Sequence, residues 1–110
     1  MSTPRDDSVY LAHLKDAVFC ITSYLDGINE AQFFESRLLQ DAVIRQLEII
    51  GEASKHLSRA FRASRPTVPW QDIIGMRSKL AHDYMHVNLQ AVWDTARMDI
   101  PALERELFRA

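Results

Sequence analysis

One stretch gathers most of the side chains that could do chemistry: Gly75-Met76-Arg77-Ser78-Lys79-Leu80-Ala81-His82-Asp83-Tyr84-Met85-His86. From Arg77 to His86 it holds an arginine, a lysine, two histidines, an aspartate and a tyrosine, and no other window of the chain is as rich. Arginine and histidine together suit cleavage of an RNA phosphodiester. A histidine, with a pKa of about 6.5, can take the proton of the 2′-hydroxyl or supply one to the leaving oxygen. An arginine can hold two phosphate oxygens as charge builds on them. Such chemistry calls for no metal or other cofactor. The plain alternative is that Arg77 makes a surface ion pair and His82 is an ordinary helix-end histidine. At about 100° per residue, Arg77 and Tyr84 share a helical face, whereas His82 lies about 140° from Arg77. For Arg77 and His82 to act together, the helix must loosen near Ala81 or one of the pair must come from another subunit.

A second reading takes His82 and His86 as metal ligands, four apart on a helical face with Asp83 behind the first. Aspartate there is one methylene shorter than the glutamate of His-Glu-x-x-His proteases. No third ligand is evident, because His13 and His56 lie far off in sequence within other helical patterns. Lys55, Arg59 and Arg62, at i, i+4 and i+7, form a basic stripe. Such a stripe is ordinarily a solvated face, but it could also hold a nucleic-acid backbone or an acidic partner, with Glu52 one turn earlier placed to orient a base. Trp70 and Trp93 fit core patterns. Cys20 has no basic neighbour in sequence and reads as an unreactive thiol.

The elements that must position these residues are helices. Leu11, Leu14, Val18, Ile21 and Leu25 form one stripe, stopped near Gly27. Asn29 and Gln32 resemble a capping box for a short second helix carrying Phe33 and Phe34. From Ser36, the residues Val43, Leu47, Ile50, Leu57 and Phe61, with Ser54 in one slot, predict a long third helix ending at Arg65-Pro66. Gly51 inside it suggests a close helix crossing. Pro69-Trp70 opens a fourth helix. Asn88 can cap a fifth, with Leu89, Trp93, Ala96, Ile100, Leu103 and Leu107 inward and a kink expected at Pro101. The pattern predicts an all-α fold, an antiparallel up-and-down bundle of four main helices plus a short helix, occupying residues 1–110 as a single domain.

Composition narrows the function classes. With 47% hydrophobic and 25% charged residues the chain has a globular balance, and its apolar runs fall far short of the roughly 20 residues that span a bilayer. One cysteine, together with an amino terminus lacking an apolar run, predicts a cytoplasmic protein with no disulfide and no membrane partner. A net charge of −2 points away from nucleic acid until it is divided along the chain. Residues 1–36 carry six acids and two bases, whereas residues 52–86 carry six bases and three acids. The basic third contains both the Lys55 stripe and the Arg77 motif.

With these residues in view, the sequence resembles the HepT family, toxins of the HEPN superfamily encoded with a minimal nucleotidyltransferase, MntA. The likeness is carried by residues 40–53, by Val68-Pro69-Trp70-Gln71-Asp72-Ile73-Ile74-Gly75-Met76-Arg77, by Val92-Trp93-Asp94-Thr95, and above all by Arg77-x4-His82-x-Tyr84. The resemblance implies a HEPN-like bundle and a metal-independent endoribonuclease whose Arg77 and His82 meet across a homodimer. Arg77 would hold the scissile phosphate and His82 would act as general acid or base. Tyr84 matches the tyrosine that MntA-like antitoxins modify with AMP. Each added nucleotide would bring bulk and negative charge to a site that must admit an RNA backbone. Ser78 stands where HEPN proteins often carry asparagine; Glu52 and Lys79 would support the site. The alternative expectation is a non-catalytic helical module that presents substrate to, or regulates, a nucleotidyltransferase partner.

Overall fold

The computed structural model describes the backbone of residues 6–81 and 87–108, and the side chains of residues 6–76 and 87–108. Among them every regular element is helical: α1 (Asp7–Leu25), α2 (Glu30–Glu35), α3 (Arg37–His56), α4 (Arg59–Ala63), α5 (Trp70–Ala81), α6 (Leu89–Asp94), a π-helical turn (Thr95–Asp99) and α7 (Ile100–Phe108). No described helix is long and apolar enough to cross a membrane.

Local chemistry sets most of the ends. Asp6 caps α1 by accepting from Ser8 N at 2.9 Å, and these backbone and side-chain bonds from Ser8 hold its carboxyl below the usual value of 3.8. The chain leaves α1 through Gly27, whose φ of +73° lies in the left-handed region that suits glycine. The capping box of α2 forms as expected, with Asn29 Oδ1 accepting from Gln32 N at 2.8 Å and Gln32 Oε1 from Asn29 N at 2.9 Å. Ser36 starts α3 by accepting from Leu39 N, and Asn88 starts α6 by accepting from Ala91 N. Buried Gln40 then secures the end of α2, its Nε2 donating to the carbonyls of Phe33 and Phe34.

The central α3 packs between α1 and α5, and α7 closes on α1. Its inner face, Val43, Leu47 and Ile50, meets Leu14, Val18 and Ile21 of α1 and Val92, Ile100 and Leu103 of the C-terminal column in one core. Phe33 stands 5.3 Å from Trp93, joining α2 to α6. At the opposite end Thr67 Oγ1 donates to Glu106 at 2.8 Å, which fixes the direction of α7. Ser54, in its apolar slot, is fully buried, and its hydroxyl finds no partner among the described residues.

Two expectations need correction. The long third helix does not run to Arg65: it ends at His56, and Ser58 begins the separate α4 by accepting from Phe61 N at 3.0 Å. Leu57 is buried as its spacing predicts, but its backbone is extended. The break is held from a distance, because Asp7 of α1 accepts from both Ser58 N (2.8 Å) and Ser58 Oγ (2.7 Å). At Pro101 the helical column carries a π-helical turn immediately upstream. The Ile100 N–H reaches the carbonyl of Thr95, five residues back. Proline in a helix crowds the carbonyl four residues before it, and the wider turn at Thr95–Asp99 relieves that crowding.

Candidate functional site

The helix that carries the motif is positioned by two features. At its start, Trp70 is buried, and its indole N–H donates to the carbonyls of Arg62 (3.0 Å) and Arg65 (3.2 Å), anchoring α5 to the end of α4. Three residues later comes the crossing that Gly51 foreshadowed. A β-carbon on Gly51 would stand 3.1 Å from the Ile73 carbonyl oxygen, so here the two backbones come as close as glycine allows. From the anchor to the crossing, α5 runs back along α3. Helical rise then puts the backbone of Arg77 about 6 Å beyond the crossing, level with Leu47 and Glu48 of α3. Arg77 and Lys79 lie on the described backbone of α5, inside its last two turns. His82 and Tyr84 lie outside the described residues, as do Asp83 and His86 of the alternative metal reading.

Glu52 is described, and its surroundings were not expected from sequence. It lines an open cleft of about 270 Å³ between α1 and α3. Tyr10 and His13 of α1 form one wall, while Arg45, Glu48, Glu52 and His56 of α3 form the other, over a floor of Ile49 and Ala53. Glu52 Oε1 stands 3.3 Å from His56 Nε2. The His56 ring stacks on Tyr10 at 5.1 Å and 19°, and His13 meets the same tyrosine edge-on at 6.0 Å. The tyrosine ring is buried, whereas both imidazoles are exposed, so the cleft offers a rigid aromatic wall with titratable groups at its mouth. Among the described residues, Arg45 and Glu48 make no ion pair or hydrogen bond.

Sequence reasoning missed this cluster, having set His13 and His56 apart as members of separate helices. A signal was present in α3. Arg45, Glu48, Glu52 and His56 are spaced i, i+3, i+7 and i+11 on the side opposite Val43, Leu47 and Ile50, a polar stripe with more functional groups than a solvated face needs.

The basic stripe, by contrast, does not survive. Because α3 ends at His56, Lys55 lies in its last turn while Arg59 and Arg62 lie on α4, and the three share no continuous helical face. Arg62 is half-buried, with its Nε enclosed and without a partner among the described residues. Arg65 lies over the Phe61 ring at 5.4 Å. Cys20 is half-buried beside Tyr24, whose hydroxyl is raised above its usual 10 first by hydrogen bonding to the Cys20 thiol.

Comparison with known proteins places these features in a lineage. The family described as ribonuclease HepT-like matches residues 14–109. A provisionally named RNase of Caldanaerobacter subterraneus subsp. tengcongensis is 40% identical over 107 residues, covering 97% of this chain and 93% of that protein. A protein of Thermococcus cleftensis, named as a probable ribonuclease HepT, is 38% identical over 100 residues, 91% of each chain. A Methanocaldococcus jannaschii protein, named as a gamma-glutamylcyclotransferase and provisionally as an RNase, is 39% identical over 105 residues. There the match takes in 96% of this chain but only 47% of the relative. No solved structure matches the chain. With nearly all its length matched by that family, the chain belongs to the HepT-like ribonucleases.

Proposed function

We propose that the chain is a metal-independent endoribonuclease that acts as a homodimer and forms the toxic half of a toxin–antitoxin pair. The observation that carries this reading is the spacing Arg77-x4-His82-x-Tyr84 in a chain of the HepT-like family, on a helix whose path is fixed at Gly51 and Trp70. On one unbroken helix Arg77 and His82 would point about 140° apart. Two copies facing each other bring the Arg77 of one toward the His82 of the other, which removes that conflict.

The chemistry is a transesterification. A general base removes the 2′-hydroxyl proton, the 2′-oxygen attacks the adjoining phosphorus, and the bond to the 5′-oxygen breaks. His82 serves that proton traffic, delivering a proton to the leaving 5′-oxygen or taking one from the 2′-oxygen. Arg77 holds the non-bridging oxygens as their charge grows. The products are a 2′,3′-cyclic phosphate and a 5′-hydroxyl. Lys79 adds positive charge one turn from the phosphate, and Glu52 acts from the neighbouring helix. A nucleotidyltransferase antitoxin of the MntA type silences the site by transferring AMP to Tyr84, placing a phosphodiester where the RNA backbone must enter.

The test is induction in a bacterial host. Wild type arrests growth, whereas Arg77→Ala and His82→Ala do not. Purified protein cuts RNA in the presence of EDTA and leaves cyclic phosphate ends. Equal toxicity of all three proteins overturns the assignment of Arg77 and His82. Loss of cleavage on chelation overturns the metal-free mechanism in favour of His82 and His86 as ligands. A tight complex with the nucleotidyltransferase, without RNA cleavage at any protein concentration, favours the non-catalytic module. Mass spectrometry after co-expression reads AMP increments on Tyr84, and an unmodified Tyr84 beside an active partner overturns that mode of silencing.

A further inference from the structure

The α1–α3 cleft lies outside the Arg77 motif, yet it is the described region with the greatest density of functional side chains. It is smaller than the roughly 300–1,000 Å³ sites that take drug-sized ligands, and it is open along one side. Its chemistry limits what can enter. Glu48 and Glu52 present carboxylates that repel a phosphate, so a nucleic-acid backbone would not lie in it. An apolar floor of Ile49 and Ala53 and a ring wall of Tyr10 and His56 instead suit a flat, partly apolar body with hydrogen-bond donors at its edge. An unpaired nucleobase has that form. Bases splayed from single strands stack on aromatic and histidine rings and are read at their edges, and carboxylates accept from exocyclic amines.

Position agrees with chemistry. Glu48 stands on α3 at the level that Arg77 reaches on α5, and Arg45, exposed at the mouth, offers a cation to the backbone of a strand whose base is inserted. We propose that this cleft is a base-reading subsite, which takes one unpaired nucleobase carrying an exocyclic amine (adenine, cytosine or guanine) from an RNA strand bound at the Arg77 motif. The inference rests on the ribonuclease reading for its RNA. Glu48 is the specificity-determining residue, accepting from the amine, while the Glu52–His56 pair and Tyr10 form the wall. Uracil is refused because its edge presents two carbonyl oxygens to the carboxylates.

Binding can be measured apart from cleavage, on the full-length His82→Ala protein. The probes are fluorescently labelled hexauridylate and a series in which a single adenosine, cytidine or guanosine is walked through it, read by fluorescence anisotropy. Oligonucleotides with the amine-bearing base at one position bind about tenfold tighter than hexauridylate. Adding Glu48→Ala abolishes that advantage and leaves hexauridylate binding in place. Adding Glu48→Gln, which supplies an amide donor beside a carbonyl acceptor, narrows the advantage by admitting uracil. Thermal melts establish that both variants fold. Equal weakening of every oligonucleotide, or no base preference in the parent, overturns the subsite. Failure of the wild-type enzyme to cut RNA that the His82→Ala protein binds with this preference overturns the nuclease reading instead.

Discussion

Gly51 offers the sharpest test of how the fold places the motif. A β-carbon there would sit 3.1 Å from the Ile73 carbonyl oxygen, where ordinary contact begins at 3.4 Å, so α5 must move by a few tenths of an ångström to admit alanine. Alanine also gains about 1 kcal/mol of helix propensity over glycine. The two effects oppose each other, and Gly51→Ala should fold with stability within about 1 kcal/mol of wild type. Leucine drives further atoms into the backbone of α5, an overpacking of about 1–3 kcal/mol, and each kilocalorie lowers Tm by roughly 4–8 °C in a domain of this size. Gly75 is the control: it lies on α5 only two residues before Arg77, and a β-carbon on it meets nothing within 4 Å. Gly75→Ala should therefore raise stability by about 1 kcal/mol. Melting followed by circular dichroism gives the stabilities, and RNA cleavage gives the function. Since a 1 Å misplacement can cost about a hundredfold in rate, the smaller shift in Gly51→Ala should cost about tenfold while leaving the fold intact. A Gly51→Leu protein that melts like wild type would refute the crossing, and full activity in Gly51→Ala would refute its role in setting the motif.

Three further outcomes are expected. Ser54→Ala should raise stability by about 1 kcal/mol, because it removes a buried hydroxyl that has no partner among the described residues; a loss on melting would show that the hydroxyl is bonded. Asp7→Ala should lower Tm by roughly 4–8 °C, the equivalent of about 1 kcal/mol, through loss of both bonds to Ser58, and an unchanged melt would mean that α4 holds its start without α1. The Asp6 cap should be sensitive to acid. Its folded pKa lies below the ordinary 3.8, so its stabilisation is complete above that value and is lost as pH falls through the folded pKa. Asp6→Asn, which can still cap, should show a shallower fall in Tm below about pH 4, and an acid limb identical to wild type would remove Asp6 from the account.

Most helices were legible because their cues are local. The Asn29–Gln32 box, the Asn88 cap and the stripe from Leu11 to Leu25 each depend on residues a few positions apart, and all three appear in the structure. Gly51 was legible for a related reason, since a glycine amid good helix formers signals something pressing against it. The break at Leu57–Ser58 was not. Leu57 and Phe61 continue the apolar rhythm, and what ends the helix is a carboxylate 51 positions away in sequence. Gln40 likewise reads as an ordinary polar helix residue until its two carbonyl partners on α2 are seen. At the candidate site, the residue types of the motif were readable from sequence alone. The cleft was not, because His13 and His56 become neighbours only when α1 lies antiparallel on α3.

The π-helical turn at Thr95–Asp99 has a bearing on how this chain can vary in evolution. It accommodates one residue more than an α-helix would need between Trp93, which is set against Phe33, and Glu106, which is bonded to Thr67. Deleting any one of the five would return the segment to α-helical geometry but would advance everything after it by about 100°. Ile100 and Leu103 would then turn away from the core, and Glu106 from Thr67. A homologue that lacks the residue must therefore have moved its whole C-terminal apolar stripe by one position, so a gap at this point and a shifted stripe beyond it should be inherited together.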